Sequence, residues 1–256
     1  MNYDLLKTRY RKDKIKIDKG EFIYDSDYFI MTNKEISQEN VLNMHFMKRY
    51  SSFLHEPILD FGCGVGIFLL ACKSQGYKEI IGVDISDDAL RICQKEGLSD
   101  LLLYRSKEHL NIVKDKTIGT IYNNQVIEHI PRGESDTLLR EFFRILKPNG
   151  NMILTFPAEN DKINNPDPTH INFYKIDDFL RYIKSIGFEI KYFWSLLYIP
   201  VYQNYVMQID HIFQNTTPII NRLIYAFRKY AYIMLKKIFK NTPGTSIFVV
   251  AIKKGG

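Results

Sequence analysis

The chain is 256 residues long, 45% hydrophobic and 14% aromatic. That suffices for one sizeable core, plain or elaborated with a cap, and excludes long disordered stretches. Its formal charge of +6 admits nucleic acid, an anionic membrane surface or acidic metabolites as partners and selects none of them.

Residues 1–54 are polar and basic. Their opening, MNYDLLKTRYRKDKIKIDKG, alternates charge without an apolar segment, so no signal peptide is expected. An amphipathic pattern near Ser37–Phe53 predicts an N-terminal helical cap. Pro57–Phe61, a short apolar run ending in glycines, reads as a first strand, and Val65–Gln75 as a helix stopped by Gly76. Glu79–Val83 is a second strand. Ser86 caps a helix through Glu96 that ends at Gly97. Leu101–Tyr104 and Thr117–Tyr122 are the third and fourth strands, and Glu134–Leu146 is an amphipathic helix stopped by Lys147-Pro148-Asn149-Gly150. Asn151–Phe156 is a fifth strand, Ile176–Ile186 a helix ending at Gly187, and Phe188–Trp194 and Ser246–Ile252 close the series. No run of about 18 apolar residues predicts a membrane span.

Strands alternating with helices across short connections imply an α/β fold with a doubly wound, mainly parallel sheet of seven strands. The expected division is an N-terminal arm and helical cap (1–54), an α/β core (55–194), a basic aromatic helical insertion (195–245) and a final strand with tail (246–256). In such sheets ligands bind beyond the carboxyl ends of the strands, where the strand order reverses.

The sharpest signal is Ile58-Leu59-Asp60-Phe61-Gly62-Cys63-Gly64-Val65-Gly66. Glycines here permit a tight turn and a close ligand approach. A dinucleotide loop reads G-x-G-x-x-G, but in this chain the third glycine comes one place early and Ile67 takes its position. Asp60, just ahead of the turn, opposes a pyrophosphate and suits an ammonium. Asp84 ends Ile80-Ile81-Gly82-Val83-Asp84, where an acid accepts hydrogen bonds from ribose hydroxyls. Cys63, Cys72 and Cys93 show no paired or metal-ligand spacing, which argues against a disulfide framework and for a reducing, cytoplasmic compartment.

ILDFGCGVG, IIGVDIS, NNQVIEHI and the helix before LKPNGNMILTFP occur in that order. In these motifs the chain resembles the class I S-adenosylmethionine-dependent methyltransferases. The branch includes the ubiquinone-biosynthesis O-methyltransferases and many enzymes that modify small molecules, lipids and glycans. The resemblance covers about residues 55–194 and, more loosely, 246–253. It implies S-adenosyl-L-methionine as cofactor and S-adenosyl-L-homocysteine as product. It also implies that Asp60 and the turn Gly62, Cys63, Gly64 and Gly66 hold the methionine end. Asp84 would bind the ribose, Ile85 would pack on adenine, and Asn123 and Asn124 would line the sulfonium side. Relatives usually carry an acid after the third strand; this chain has Tyr104-Arg105-Ser106, so Ser106 or a backbone group is expected to meet adenine. Relatives also commonly begin the fourth strand with Asp, and Gly119 in its place predicts a stability cost.

Methyl transfer needs alignment, exclusion of water and, for a hydroxyl acceptor, removal of a proton. Histidine is the natural base. His129, in Gln125-Val126-Ile127-Glu128-His129, is expected to act as base or to contact substrate; the alternative is a loop-ordering residue. Some related enzymes carry Glu-x-x-Glu-His here, resembling a divalent-metal site. Gln125 replaces the first acid and leaves too few ligands, so no metal is expected. His170, in Asn165-Pro166-Asp167-Pro168-Thr169-His170, is the second catalytic or acceptor-side candidate, the alternative being a turn-stabilising residue. Tyr174 reads equally as a residue that closes over the acceptor or as aromatic packing, and Tyr24, Tyr28 and Phe29 are candidates to cover the cofactor. His45, His55, His109 and His211 read as structural or surface residues.

Thr217–Lys240 is basic, without an acid, and carries apolar residues at helical spacing. It reads as a cap over the site mouth, as a peripheral contact with an anionic inner membrane surface, or as a subunit contact. Nucleic acid is disfavoured, because no recognised module appears. The expected function is methylation of an oxygen on a small-molecule, saccharide or lipid-linked acceptor. Same-fold alternatives are N-methylation, RNA methylation and non-catalytic cofactor binding; a dinucleotide oxidoreductase is opposed by Asp60 and Ile67.

Overall fold

The computed structural model describes residues 16–18, 21–24, 51–99, 102–105, 110–111, 113–159, 169–197 and 244–255. Near the N-terminus, Lys16–Asp18 (β1) and Glu21–Ile23 (β2) pair antiparallel, with Lys16 opposite Ile23. The main sheet contains Ile58–Phe61 (β3), Ile80–Asp84 (β4), Leu102–Arg105 (β5), Ile118–Asn124 (β6), Leu146–Pro157 (β7), Phe188–Leu197 (β8) and Gly244–Lys253 (β9). Its seven strands run in the order β5-β4-β3-β6-β7-β9-β8. The first five are parallel, and β9 lies antiparallel between β7 and β8. The order reverses between β3 and β6, so a crevice opens where Asp60 leads into the glycine turn and Asn123 and Asn124 end their strand.

Neighbouring residues on β3 serve opposite cores. Leu59 packs with Ile121, Leu154, Phe142 and Phe179 on one face; Ile58 packs with Phe68, Leu69, Leu90 and Tyr122 on the other. Burial on both faces is why these strands read as near-continuous apolar runs. Truncating a fully buried aromatic such as Phe142 to alanine would cost about 3–5 kcal/mol.

Helices Ile67–Ser74 (α1), Asp87–Cys93 (α2), Arg132–Ile145 (α3) and Ile176–Ile186 (α4) cover the sheet. The α1 helix starts later than the sequence pattern indicates, because Gly66 at φ 85° is still part of the turn. At α2 the Ser86 hydroxyl accepts the Ala89 N–H at 3.1 Å, and a wider turn over Gln94–Leu98 ends through Gly97 at φ 83°. The expected stop after α3 is the start of β7: Leu146 pairs with Ile118, Asn149 adopts φ 62°, and the register shifts before Asn151 meets Thr120.

Gly119 corrects an expectation. A Cβ there would lie 2.4 Å from the His55 carbonyl oxygen and 2.7 Å from that of Glu56. The backbone leaves no room for an aspartate, so glycine is what this strand requires. Of the expected N-terminal cap, Ser51–Phe53 forms a single 3-10 turn; the rest of Ser37–Phe53 and the whole of Thr217–Lys240 lie outside the described residues. Among the described residues, no helix is long and apolar enough to cross a membrane.

Candidate active site

The turn after β3 is built by three glycines in the left-handed region: Gly62 at φ 78°, Gly64 at φ 52° and Gly66 at φ 85°. Space is also short, since a Cβ on Gly62 would fall 2.2 Å from Val126 Cγ2. The amides of the turn are spent internally. Gly62 and Cys63 donate to the Val83 carbonyl at 2.7 and 3.0 Å, Gly66 donates to the Cys63 carbonyl at 3.0 Å, and Gly64 donates to Asp84 Oδ2 at 2.8 Å. A phosphate-cradling loop presents such N–H groups to its ligand; these four are turned inward instead. The Cys63 side chain is buried under the turn, its thiol 3.7 Å from the Gly64 carbonyl that also takes the Cys93 thiol at 3.3 Å. Only the backbone of Cys63 can face a ligand.

Asp60 is 2% exposed. Burial, and then the nearby Asp84 carboxylate, push its pKa well above the usual carboxylate range. Such a group gains from an incoming cation. Asp84 is half-buried, and its second oxygen accepts the Ser86 N–H at 2.9 Å. Ile85 beside it is 38% exposed, an apolar platform on the rim. Ser106 lies outside the described residues.

Asn123 is fully buried, and its amide nitrogen donates to the Phe61 carbonyl at 2.8 Å, tying the ends of β6 and β3. Its Oδ1 has no hydrogen-bond partner among the described residues. Asn124 is exposed at the rim, and its Oδ1 accepts the Thr155 hydroxyl. Gln125 follows at φ 57°, a strained setting for a non-glycine residue, and swings the chain into the turn Ile127–His129.

That turn meets the segment after β7. The His129 and His170 rings stand edge to face with centroids 4.8 Å apart. His129 Nδ1 lies 3.1 Å from the Thr169 carbonyl oxygen. A carbonyl only accepts, so Nδ1 carries the proton and the basic nitrogen is Nε2. His170 Nε2 lies 4.0 Å from the fully buried Glu128 carboxylate. Donor atoms of Glu128, His129 and His170 fall within 4.8 Å of one another. Tyr24 spans the crevice: its carbonyl accepts the Ser86 hydroxyl, its side chain packs against the cluster of Val65 and Ala89, and its ring centroid is 5.7 Å from that of His129. Tyr28 and Phe29 lie outside the described residues.

Of the two readings of Tyr174, aromatic packing is the one the fold realises. It is fully buried, packed on Phe156 and Phe179, and its hydroxyl meets Ser135 Oγ at 2.6 Å. It belongs to the core and cannot close over an acceptor. The Thr169 carbonyl and Asn172 carry no sequence signal for a site role, since both act through contacts made only in the folded chain.

Fold and crevice define an α/β protein whose glycine turn, at the reversal of strand order, suits a nucleoside without a phosphate clamp. The family description "Methyltransferase domain" matches residues 36–192, and the chain belongs to this family of class I S-adenosylmethionine-dependent methyltransferases. It is 25% identical over 219 residues to the ubiquinone biosynthesis O-methyltransferase of Chromobacterium violaceum, covering 77% of this chain and 93% of that one. It is 32% identical over 104 residues to the ribosomal protein L11 methyltransferase of Glaesserella parasuis, covering 39% of this chain and 33% of that protein. The chain thus spans about a third of the second relative's length. A SAM-dependent methyltransferase structure from Archaeoglobus fulgidus aligns with a TM-score of 0.60 at 22% identity, over 88% of this chain and 99% of that one, which shows a shared fold.

Proposed function

We propose that the chain transfers the methyl group of S-adenosylmethionine to a hydroxyl of a small-molecule, saccharide or lipid-linked acceptor. When bound, the cofactor supplies an electrophilic methyl carbon on a sulfonium. The residues present fit it: the buried Asn123 Oδ1 has no donor among the described residues, the raised pKa of Asp60 favours a cationic neighbour, and the amides of Gly62, Cys63, Gly64 and Gly66 are committed elsewhere. Asp60 and the backbone of Gly62, Cys63, Gly64 and Gly66 would hold the methionine end. Asp84 would take the ribose hydroxyls, Ile85 would carry the adenine, and Asn123 and Asn124 would border the sulfonium.

The observation that carries the oxygen preference is the bond between His129 Nδ1 and the Thr169 carbonyl at 3.1 Å. A hydroxyl must lose a proton as it attacks, whereas a neutral amine already offers a lone pair. Fixing the proton on Nδ1 keeps Nε2 of His129 ready to accept one. His170, packed edge to face beside His129, would orient the acceptor. Tyr24 covers the crevice and excludes water. The basic segment Thr217–Lys240, read from sequence alone, supports an acceptor held at an anionic lipid surface.

The test is transfer of labelled methyl groups into an extract of the source cells, fractionated into lipid, glycan, RNA and protein. Label in the lipid or glycan fraction or in the soluble small molecules left after fractionation, lost with His129→Gln, is expected. Label confined to RNA or protein would overturn the acceptor class.

A further inference from the structure

One residue fastens the segment that carries His170 to the turn that carries His129. Asn172 is 4% exposed. Its backbone N–H donates to the Glu128 carbonyl at 3.0 Å, beside the Ile171 N–H on the same oxygen at 2.9 Å. Its side-chain amide donates to the Ile127 carbonyl at 3.1 Å and to Ser135 Oγ at 2.9 Å. The Ile127 oxygen can only accept, so the amide nitrogen must face it, and both amide hydrogens are used.

Ser135 Oγ is itself held on several sides. It lies 2.9 Å from the Arg132 carbonyl, accepts from Asn172 and meets the Tyr174 hydroxyl at 2.6 Å, which in turn reaches Asp136 Oδ1 at 3.3 Å. Tyr174 is held from the other side, where it bridges Ala158 and its carbonyl accepts the Glu159 N–H at 3.1 Å. The turn after β6, the first turn of α3 and the segment after β7 therefore meet at Asn172. None of these bonds reaches the glycine turn.

Thr169 begins the clamped segment and lends its carbonyl to His129 Nδ1. That oxygen stays in place only while the segment is held against the turn. We propose that Asn172 is a positioning residue: by clamping Thr169–Asn172 onto Ile127–His129 it keeps the Thr169 carbonyl on His129 Nδ1 and so fixes the imidazole tautomer with its basic nitrogen at Nε2. The inference deepens the reading of His129 as the acceptor-side base, and it can be tested without knowing the acceptor.

The experiment is imidazole nitrogen NMR on the full chain. The wild type is expected to show one slowly exchanging, downfield Nδ1–H, assigned by its loss in His129→Gln, with nitrogen shifts of a single tautomer. In Asn172→Ala the resonance should broaden or vanish and the shifts should move towards the tautomer average. Affinity for S-adenosylhomocysteine should stay within about twofold by calorimetry. An unchanged His129 signature in Asn172→Ala overturns the proposal. Should that variant fail to fold, Asn172→Ser, which also lacks both side-chain bonds, is read in the same way, and an unchanged signature there overturns the proposal equally. Loss of the signature together with cofactor affinity in both variants also overturns it, because a clamp confined to the acceptor side spares the glycine turn. Turnover by His129→Gln tests the base separately: if it is normal while Asn172→Ala loses the signature, the clamp stands and the base reading falls.

Discussion

Asp84 Oδ2 accepts the Gly64 N–H at 2.8 Å, so the carboxylate ending one strand is bonded to the turn that follows another. With Ser86 N–H on its other oxygen at 2.9 Å, the group is oriented before any ligand arrives. A carboxylate offers about four lone-pair sites, so commitment to two amides does not exhaust it. Asp84→Ala is expected to weaken S-adenosylhomocysteine binding by about 1.5–3 kcal/mol, roughly ten- to hundredfold in Kd. Calorimetry measures this, and unchanged affinity would remove the ribose assignment.

Asp60 sets cofactor affinity against stability. Its pKa is raised, first by burial and then by Asp84, so the fold prefers the protonated acid while the unfolded chain ionises at the ordinary value. The associated stability is fully present below the unfolded pKa and is lost as pH rises through the folded one. Asp60→Asn removes this penalty. Thermal melts of the ligand-free protein should show the variant gaining on wild type as pH climbs above the ordinary aspartate range. The same variant should bind S-adenosylhomocysteine more weakly, having lost the counter-charge for its ammonium. For wild type, a cation beside Asp60 favours the carboxylate, so binding should release a proton and tighten with rising pH. Melts that do not diverge with pH would show that Asp60 carries no such penalty.

The sheet was legible because both faces are buried, which leaves apolar runs such as Ile80–Val83 between glycine and capping signals. The cofactor side was legible for a related reason: positive φ at Gly62, Gly64 and Gly66 restricts residue choice locally. The acceptor side was not. His129 and His170 stand out as residue types, but their 4.8 Å ring contact depends on two segments far apart in the chain. Tyr174 reads as lid or as packing alike until its partners Phe156 and Phe179 are known. Gly119 reads as a missing acid because the His55 and Glu56 carbonyls that exclude a side chain belong to another segment.

The cluster of Glu128, His129 and His170 brings three donor groups within 4.8 Å. Two of the three donors are imidazole nitrogens and one is a carboxylate, whereas a hard divalent cation takes a shell of oxygen ligands. Dialysis against a chelator is therefore expected to leave methyl transfer unchanged, with no bound metal by elemental analysis of the purified chain. Loss of transfer on chelation, restored by one divalent ion, would contradict this.

His170 separates acceptor handling from cofactor handling. Its Nε2 lies 4.0 Å from Glu128 Oε1, and its ring abuts His129 and, with centroids 6.1 Å apart, Phe173. The amides and carboxylates that shape the glycine turn come from β3, β4 and their loops, on other segments. His170→Ala should therefore leave S-adenosylhomocysteine affinity within about twofold while lowering turnover about tenfold or more, at the modest end for a group that helps a base. His129→Gln, which removes the base itself, should cost about a hundredfold or more. Steady-state rates with a labelled methyl donor, beside calorimetry on the same preparations, separate the two sides. Normal turnover in His170→Ala would make that histidine a stabiliser of its turn, whereas equal losses of affinity and rate would place it on the cofactor side.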